Sequence, residues 1–265
     1  MSLRALLFDV DGTIADTECL GHRPAYNQAF KELGLPWRWG PKLYRRLLKQ
    51  PGGRERVSHY LDSYSPELGE RADDGRENPD NLVGDIHKAK SRHFSRLVKR
   101  GRVPLRPGIA RLMREAAAAQ IKLAIVSNAS RATLEPVLEH SVGSELRGLL
   151  SLVISGEEVS AKKPAPDLYL RAAECLGVRP GECLAIEDSA MGLAAAVAAG
   201  IATVITVNQN TREEDFSGAD LVVESLGEPG EPTAVITGPA VAGDCVALAD
   251  LRDLLAQRED PAGGH

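Results

Sequence analysis

The chain has 265 residues, 43% of them hydrophobic and 26% charged, so it can bury a core and is not a disordered, collagen-like or disulfide-framework chain. Its 32 basic and 37 acidic residues leave a net charge of −5, which gives the molecule as a whole no electrostatic case for nucleic acid. The length admits one large or two small domains. The four cysteines, Cys19, Cys175, Cys183 and Cys245, are scattered without a CxxC pair or a metal-ligand spacing, which fits a reducing, cytoplasmic compartment.

The first apolar run, residues 3–8, predicts a buried strand that runs directly into the acidic loop Asp9-Val10-Asp11-Gly12-Thr13, unlike an export signal. Residues 14–104 differ in composition: they carry 18 basic and 12 acidic residues, eight of the eleven aromatics and four of the six histidines. Apolar residues recur there at helical spacing, in the sets Ala25, Ala29, Phe30, Leu33; Leu43, Tyr44, Leu47, Leu48; Val57, Tyr60, Leu61, Tyr64; and Leu82, Ile86, Ala89, His93, Leu97. The spacing predicts a four-helix insert. Residues 66–81, with six acidic residues and no periodicity, are expected to form a solvated loop.

Beyond the insert, strands are predicted at 122–126, 149–154, 183–186, 202–206 and 219–223, alternating with helices at 109–119, 131–139, 167–176 and 191–199. This alternation predicts an α/β fold, a Rossmann-like parallel sheet covered by helices and formed by residues 1–14 and 105–228, with the helical domain 15–104 inserted. Residues 190–207 carry no charge over 18 positions, but Gly200 divides an alanine-rich half from a β-branched half, so a helix, a turn and a strand are expected there and no membrane span. Residues 229–265 read as a C-terminal extension, with one helix at 245–255 and a frayed end at Gly263, Gly264 and His265.

Asp9 and Asp11 stand at i and i+2 of an extended chain, so both carboxylates can face one cavity. A calcium loop needs its glycine at the sixth position, whereas Gly12 is fourth from Asp9; a plain Asp-Gly turn stays open. Three later strand ends are also polar: Ser127-Asn128, then Lys162-Lys163 before Pro164-Ala165-Pro166-Asp167, then Glu187-Asp188-Ser189. Each alone reads as a helix cap or a solvated charge. Together, at the sheet edge where doubly wound folds bind ligands, they read as a site.

With these four motifs in order, the sequence resembles the haloacid dehalogenase superfamily of aspartate-dependent phosphotransferases, and the insert resembles the cap of the branch with β-phosphoglucomutase and the CbbY-like phosphatases. The resemblance implies that Asp9 attacks phosphorus and becomes a transient aspartyl phosphate, and that Asp11 protonates the leaving oxygen and then activates water. It further implies Mg²⁺ held by Asp9, the backbone carbonyl of Asp11 and Asp188, with Glu187 orienting a metal water. Lys163, directly before proline, would neutralise Asp9 and the transferring group, with Lys162 left as a surface charge. Ser127 and the Asn128 amide would hold phosphate oxygens, and Thr13 is a further candidate. A dehalogenase is disfavoured, since carbon-halogen displacement needs neither Asp11 as acid nor Lys163 against a dianion.

Outside 66–81 the insert has 16 basic and 6 acidic residues, which suggests an anion-binding lid. Gly52-Gly53-Arg54-Glu55-Arg56, behind Pro51, resembles a phosphate seat, although a glycine pair also suits a plain turn. The CbbY-like resemblance implies hydrolysis of xylulose 1,5-bisphosphate, a sugar bisphosphate linked to the Calvin cycle. By that match Glu18 and His22 meet sugar hydroxyls while Arg54, Arg56 and Lys90 meet the distal phosphate, with Gly52 and Gly53 as binding candidates from the phosphate seat. Arg54 departs from the lysine frequent there, and the acidic loop is long. Tyr44, His59, His93 and His140 are expected in core or surface roles. The expected partner is a small-molecule sugar phosphate, bound by a monomer with no nucleic acid or membrane. The alternatives are a β-phosphoglucomutase-like mutase and a non-catalytic phosphosugar-binding regulator.

Overall fold

Short runs of apolar residues form strands here because helices packed on the sheet cover both of their faces. The computed structural model describes residues 2–50 and 52–258. Its β1 (Ala5–Phe8), β4 (Cys183–Glu187), β5 (Ala202–Thr206) and β6 (Leu221–Val223) are buried at every position. With β2 (Lys122–Val126), β3 (Leu150–Ile154) and β7 (Val235–Thr237) they make one sheet in the order β3-β2-β1-β4-β5-β6-β7. All pairs are parallel except β6 with β7. The register places Phe8 between Ile125 and Ile186. Asp9, Val126 and Glu187 therefore leave the sheet side by side at its carboxyl edge.

The chain divides into two compact units, one holding the residues through Asp16 and from Pro104 onward, the other Thr17–Val103. The second unit contains α1 (Arg23–Glu32), α2 (Pro41–Leu47), α3 (Gly53–Tyr64), α4 (Ala72–Glu77) and α5 (Pro79–Lys99), preceded by a π-helical turn at Glu18–His22. The aromatics concentrated in this segment form its core: Tyr26, Phe30, Trp37, Trp39, Tyr44 and Tyr60 pack in one cluster, with Tyr26 and Trp39 ring centroids 4.6 Å apart.

The first unit contains α6 (Ile109–Ala118), α7 (Arg131–Val137), α8 (Gly143–Leu149), α9 (Asp167–Leu176), α10 (Ala190–Ala198) and α11 (Leu248–Gln257). The uncharged stretch 190–207 is α10, a turn at Gly200 with φ +75°, and β5, as read from the sequence. No described helix is long and apolar enough to cross a membrane.

Three expectations are corrected. Residues 66–81 are not an open loop: they hold a 3₁₀ turn (Gly69–Arg71), α4 and the start of α5. Hydrogen bonds rather than apolar periodicity tie this segment down, from Trp37 Nε1 to the Glu67 carbonyl and from the Glu70 amide to the Gly34 carbonyl. The helix expected at 131–139 ends at Val137, passes through a π-helical turn (Leu138–Val142) and continues as α8, with Leu138, Val142 and Leu146 buried four residues apart. The glycine- and proline-rich stretch after 229 contributes β7, whose antiparallel pairing needs only a short return from β6. Pro51 and the frayed end expected at Gly263, Gly264 and His265 lie outside the described residues.

Candidate active site

Burial at the carboxyl edge leaves the charged side chains there little choice but to pair with one another. Lys163, in the loop before α9, donates from Nζ to Asp9 Oδ1 at 2.8 Å, to Glu187 Oε1 at 2.6 Å and to the Val126 carbonyl at 2.7 Å. Lys163 is 5% exposed and Glu187 0%. Lys162, its neighbour, is exposed, so the chain itself separates the two lysines. Asn128 fixes the lysine's backbone: its Oδ1 accepts from the Lys163 amide at 2.9 Å and its Nδ2 donates to the Lys163 carbonyl at 3.2 Å. Ser127 is buried, and its Oγ accepts from the Ala129 amide at 3.1 Å. The Thr13 Oγ1 is buried with no hydrogen-bond partner among the described residues.

Asp188 follows Glu187 off β4, and its Oδ2 accepts from Asn208 Nδ2 at 2.7 Å. The turn after Asp9 passes so close that a β-carbon on Gly12, which has φ +96°, would lie 2.3 Å from that same oxygen. Asp11 lies in this turn, half-buried and bridged to Ala15. Arg106 braces the turn from below, donating to the carbonyls of Gly12, Thr206, Val207 and Glu224. Burial pushes the Asp9 carboxyl up to about 7 despite the neighbouring Lys163, and burial together with Asp9 and Glu187 raises Asp188 well above the usual carboxylate range.

Asp9, Glu187 and Asp188 each offer a ligand oxygen within 4.8 Å of the others. Three carboxylates beside one lysine carry more negative charge than the cluster neutralises, and the donors are all hard oxygens. That set fits a magnesium ion. Lys163 occupies Asp9 Oδ1 and Asn208 occupies Asp188 Oδ2, so the second oxygen of each carboxylate is the one suited to a cation.

In the helical unit, Tyr44 donates to Glu18 Oε2, and Arg56 NH1 donates to the Tyr44 hydroxyl at 3.2 Å with Glu18 Oε2 4.0 Å away. Arg56 is buried while Arg54, two residues earlier on α3, is exposed beside Gly84, because that spacing puts them on opposite helix faces. Lys90 is buried with Nζ 5.3 Å from the Tyr26 ring centroid and 5.5 Å from that of Phe94, on which His22 stacks at 4.0 Å. Gly53 accepts from the Tyr26 hydroxyl at 2.9 Å, and Gly52 is exposed at φ +91°. His59 meets Ser63, His93 meets Glu32, and His140 lies by Glu139.

Sequence reasoning missed Tyr169, Asn208, Gly192 and Arg106. Asn208 follows β5 by two residues and was findable by the same strand-end rule that located the other motifs. Tyr169, in the first turn of α9, reads as an ordinary core aromatic.

A family model of haloacid dehalogenase-like hydrolases matches residues 3–200. The chain is 46% identical over 230 residues to a plasmid-borne CbbY protein of Cupriavidus necator, covering 87% of this chain and 88% of that one. It is 28% identical over 241 residues to a β-phosphoglucomutase of Mycobacterium bovis, covering 85% and 91%. Among solved structures, a variant of Rhodobacter sphaeroides CbbY in complex with xylulose 1,5-bisphosphate superposes with a TM-score of 0.75 at 38% identity, covering 86% of this chain and 96% of that one.

Proposed function

The chain belongs to the haloacid dehalogenase-like hydrolase family, in the branch of the CbbY proteins, and from that premise we propose that this phosphatase is a magnesium-dependent hydrolase of xylulose 1,5-bisphosphate or a closely related sugar bisphosphate. The observation that carries the reading is Lys163 bridging Asp9 and Glu187 beside Asp188. Phosphoryl transfer needs an in-line nucleophile and neutralisation of a spreading negative charge, and little else from the protein.

In this reading the Asp9 carboxylate attacks phosphorus, the bond from phosphorus to the ester oxygen breaks, and Asp11 gives that oxygen its proton. Asp11 then takes a proton from water, which attacks the aspartyl phosphate, frees inorganic phosphate and restores Asp9. Lys163, Ser127 and the Asn128 amide hold the phosphoryl oxygens as they gain charge. Asp9, the Asp11 carbonyl and Asp188 would hold magnesium, with Glu187 beside them, and the bound ion would screen the repulsion between two anions as they approach. In the helical unit, Glu18 and His22 select sugar hydroxyls, Arg56 holds Glu18 in place from its buried position, and Gly52, Gly53, Arg54 and Lys90 select a second phosphate.

Asp9→Asn tests the reading, since the amide removes the nucleophile and keeps the shape. Phosphate release should fall by at least about 10³-fold, and the wild type, quenched during turnover, should carry a phosphate on the Asp9 peptide by mass spectrometry. Undiminished release from Asp9→Asn would overturn it. A product that is an isomeric sugar phosphate with no free phosphate would instead support the mutase.

A further inference from the structure

An ammonium group has three N–H donors, and those of Lys163 are all engaged, by Asp9 Oδ1, Val126 O and Glu187 Oε1. A phosphoryl oxygen can therefore meet this lysine only by displacing one acceptor. The Val126 carbonyl ends a sheet strand, and Asp9 must stay at the reacting atom. Glu187 is the acceptor able to yield.

The same Glu187 Oε1 accepts a second hydrogen bond, from the Tyr169 hydroxyl at 2.6 Å. Tyr169 is 0% exposed, packed among Ala5, Leu7, Ala124, Ile154 and other apolar side chains, with its ring centroid 5.0 Å from Lys163 Nζ. A polar tip in such a core is costly unless paired, and here it is spent on a carboxylate oxygen already bonded to the lysine. An oxygen shared by two donors holds each less firmly than it would hold one.

Resting on the phosphatase reading, we propose that Tyr169 is a positioning residue for phosphoryl transfer: by donating to Glu187 Oε1 it loosens that carboxylate's hold on Lys163, so that one lysine N–H can turn to the phosphoryl oxygen as its charge grows. Tyr169 touches no reacting atom; it acts through Glu187. Nothing in the four sequence motifs includes it.

Tyr169→Phe keeps the ring and the packing and removes the hydroxyl alone. With p-nitrophenyl phosphate as probe, kcat should fall by about tenfold while KM stays within about twofold, the size of one charge-assisted hydrogen bond felt in the transition state. Inhibition by orthovanadate, which mimics the five-coordinate phosphorus, should weaken by the same factor. A tyrosine that is merely structural would lower the melting temperature and leave the vanadate constant unmoved, and that result overturns the proposal. In a Glu187→Gln background, Tyr169→Phe should cause no further weakening of vanadate binding, whereas an additive loss would show that Tyr169 does not act through Glu187. Wild-type protein that releases no phosphate would refute the phosphatase reading, separately from any result with Tyr169→Phe.

Discussion

Gly192, in the first turn of α10, faces the Glu187 carboxylate so closely that a β-carbon at position 192 would lie 2.0 Å from both Cδ and Oε2. Glu187 is 0% exposed and bonded to Lys163 and Tyr169, so any retreat from an added methyl breaks one of those bonds. In an open helix, glycine to alanine stabilises by about 1 kcal/mol. Here the sign reverses: Gly192→Ala should lower the melting temperature and reduce kcat together, by displacing Glu187 from Lys163. Thermal unfolding and a phosphatase assay on the same preparation check this, and a raised melting temperature would contradict it.

The sheet and the acidic edge were legible because burial on both faces leaves strands as plain apolar runs, and because β1, β2 and β4 run directly into polar residues of the candidate site. Asp9, Glu187 and Asp188 needed only that rule, whereas Lys163 stands in the loop well beyond β3 and was separated from Lys162 by the family pattern. The rule did not reach Tyr169 or Gly192, which sit in helices where their spacing also satisfies ordinary packing. Within the helical unit, apolar periodicity located four helices but not α4 (Ala72–Glu77), which is short and whose sequence, Ala-Asp-Asp-Gly-Arg-Glu, offers no apolar stripe. Arg54 and Arg56 looked equivalent as two charges near a glycine pair, and only helix geometry separates a surface guanidinium from a buried one.

Metal-free stability should depend on pH with a definite sign. Burial raises the Asp9 carboxyl from 3.8 to about 7 and raises Asp188 in the same direction, so the fold favours their protonated forms. That contribution to stability is full below the unfolded value and is lost as pH rises through the folded one. The melting temperature without metal should therefore fall between about pH 5 and about pH 8, and magnesium, which needs ionised carboxylates, should raise it more at the higher pH. Scanning calorimetry with and without magnesium measures both; an equal magnesium effect at the two pH values would contradict the assignment.

The two arginines of α3 should separate specificity from stability. Arg54 is exposed, so Arg54→Ala should leave the melting temperature unchanged and lower kcat/KM for xylulose 1,5-bisphosphate by about 100-fold while costing monophosphates less than about threefold, as expected for a lost paired contact to one phosphate. Arg56 is buried against Glu18 and Tyr44, so Arg56→Ala strands a carboxylate and should cost about 3 kcal/mol of stability. Denaturant unfolding and steady-state kinetics distinguish the two; equal losses on both substrates in Arg54→Ala would remove its role in selecting the bisphosphate.

Asn208 orients a carboxylate and gives up no proton of its own in the reaction. Its Nδ2 donates to Asp188 Oδ2 at 2.7 Å and lies 3.4 Å from the Gly12 carbonyl, so it fixes Asp188 relative to the turn that carries Asp11. Removing such an outer partner typically weakens metal binding by about 10- to 100-fold. Asn208→Ala should therefore raise the half-saturating magnesium concentration by about tenfold while kcat at saturating magnesium stays within about threefold of wild type. Magnesium titrations of activity, paired with calorimetric binding in the absence of substrate, read the two effects apart. A fall in kcat with unchanged magnesium affinity would mean that Asn208 serves the Asp11 turn and not the metal ligand.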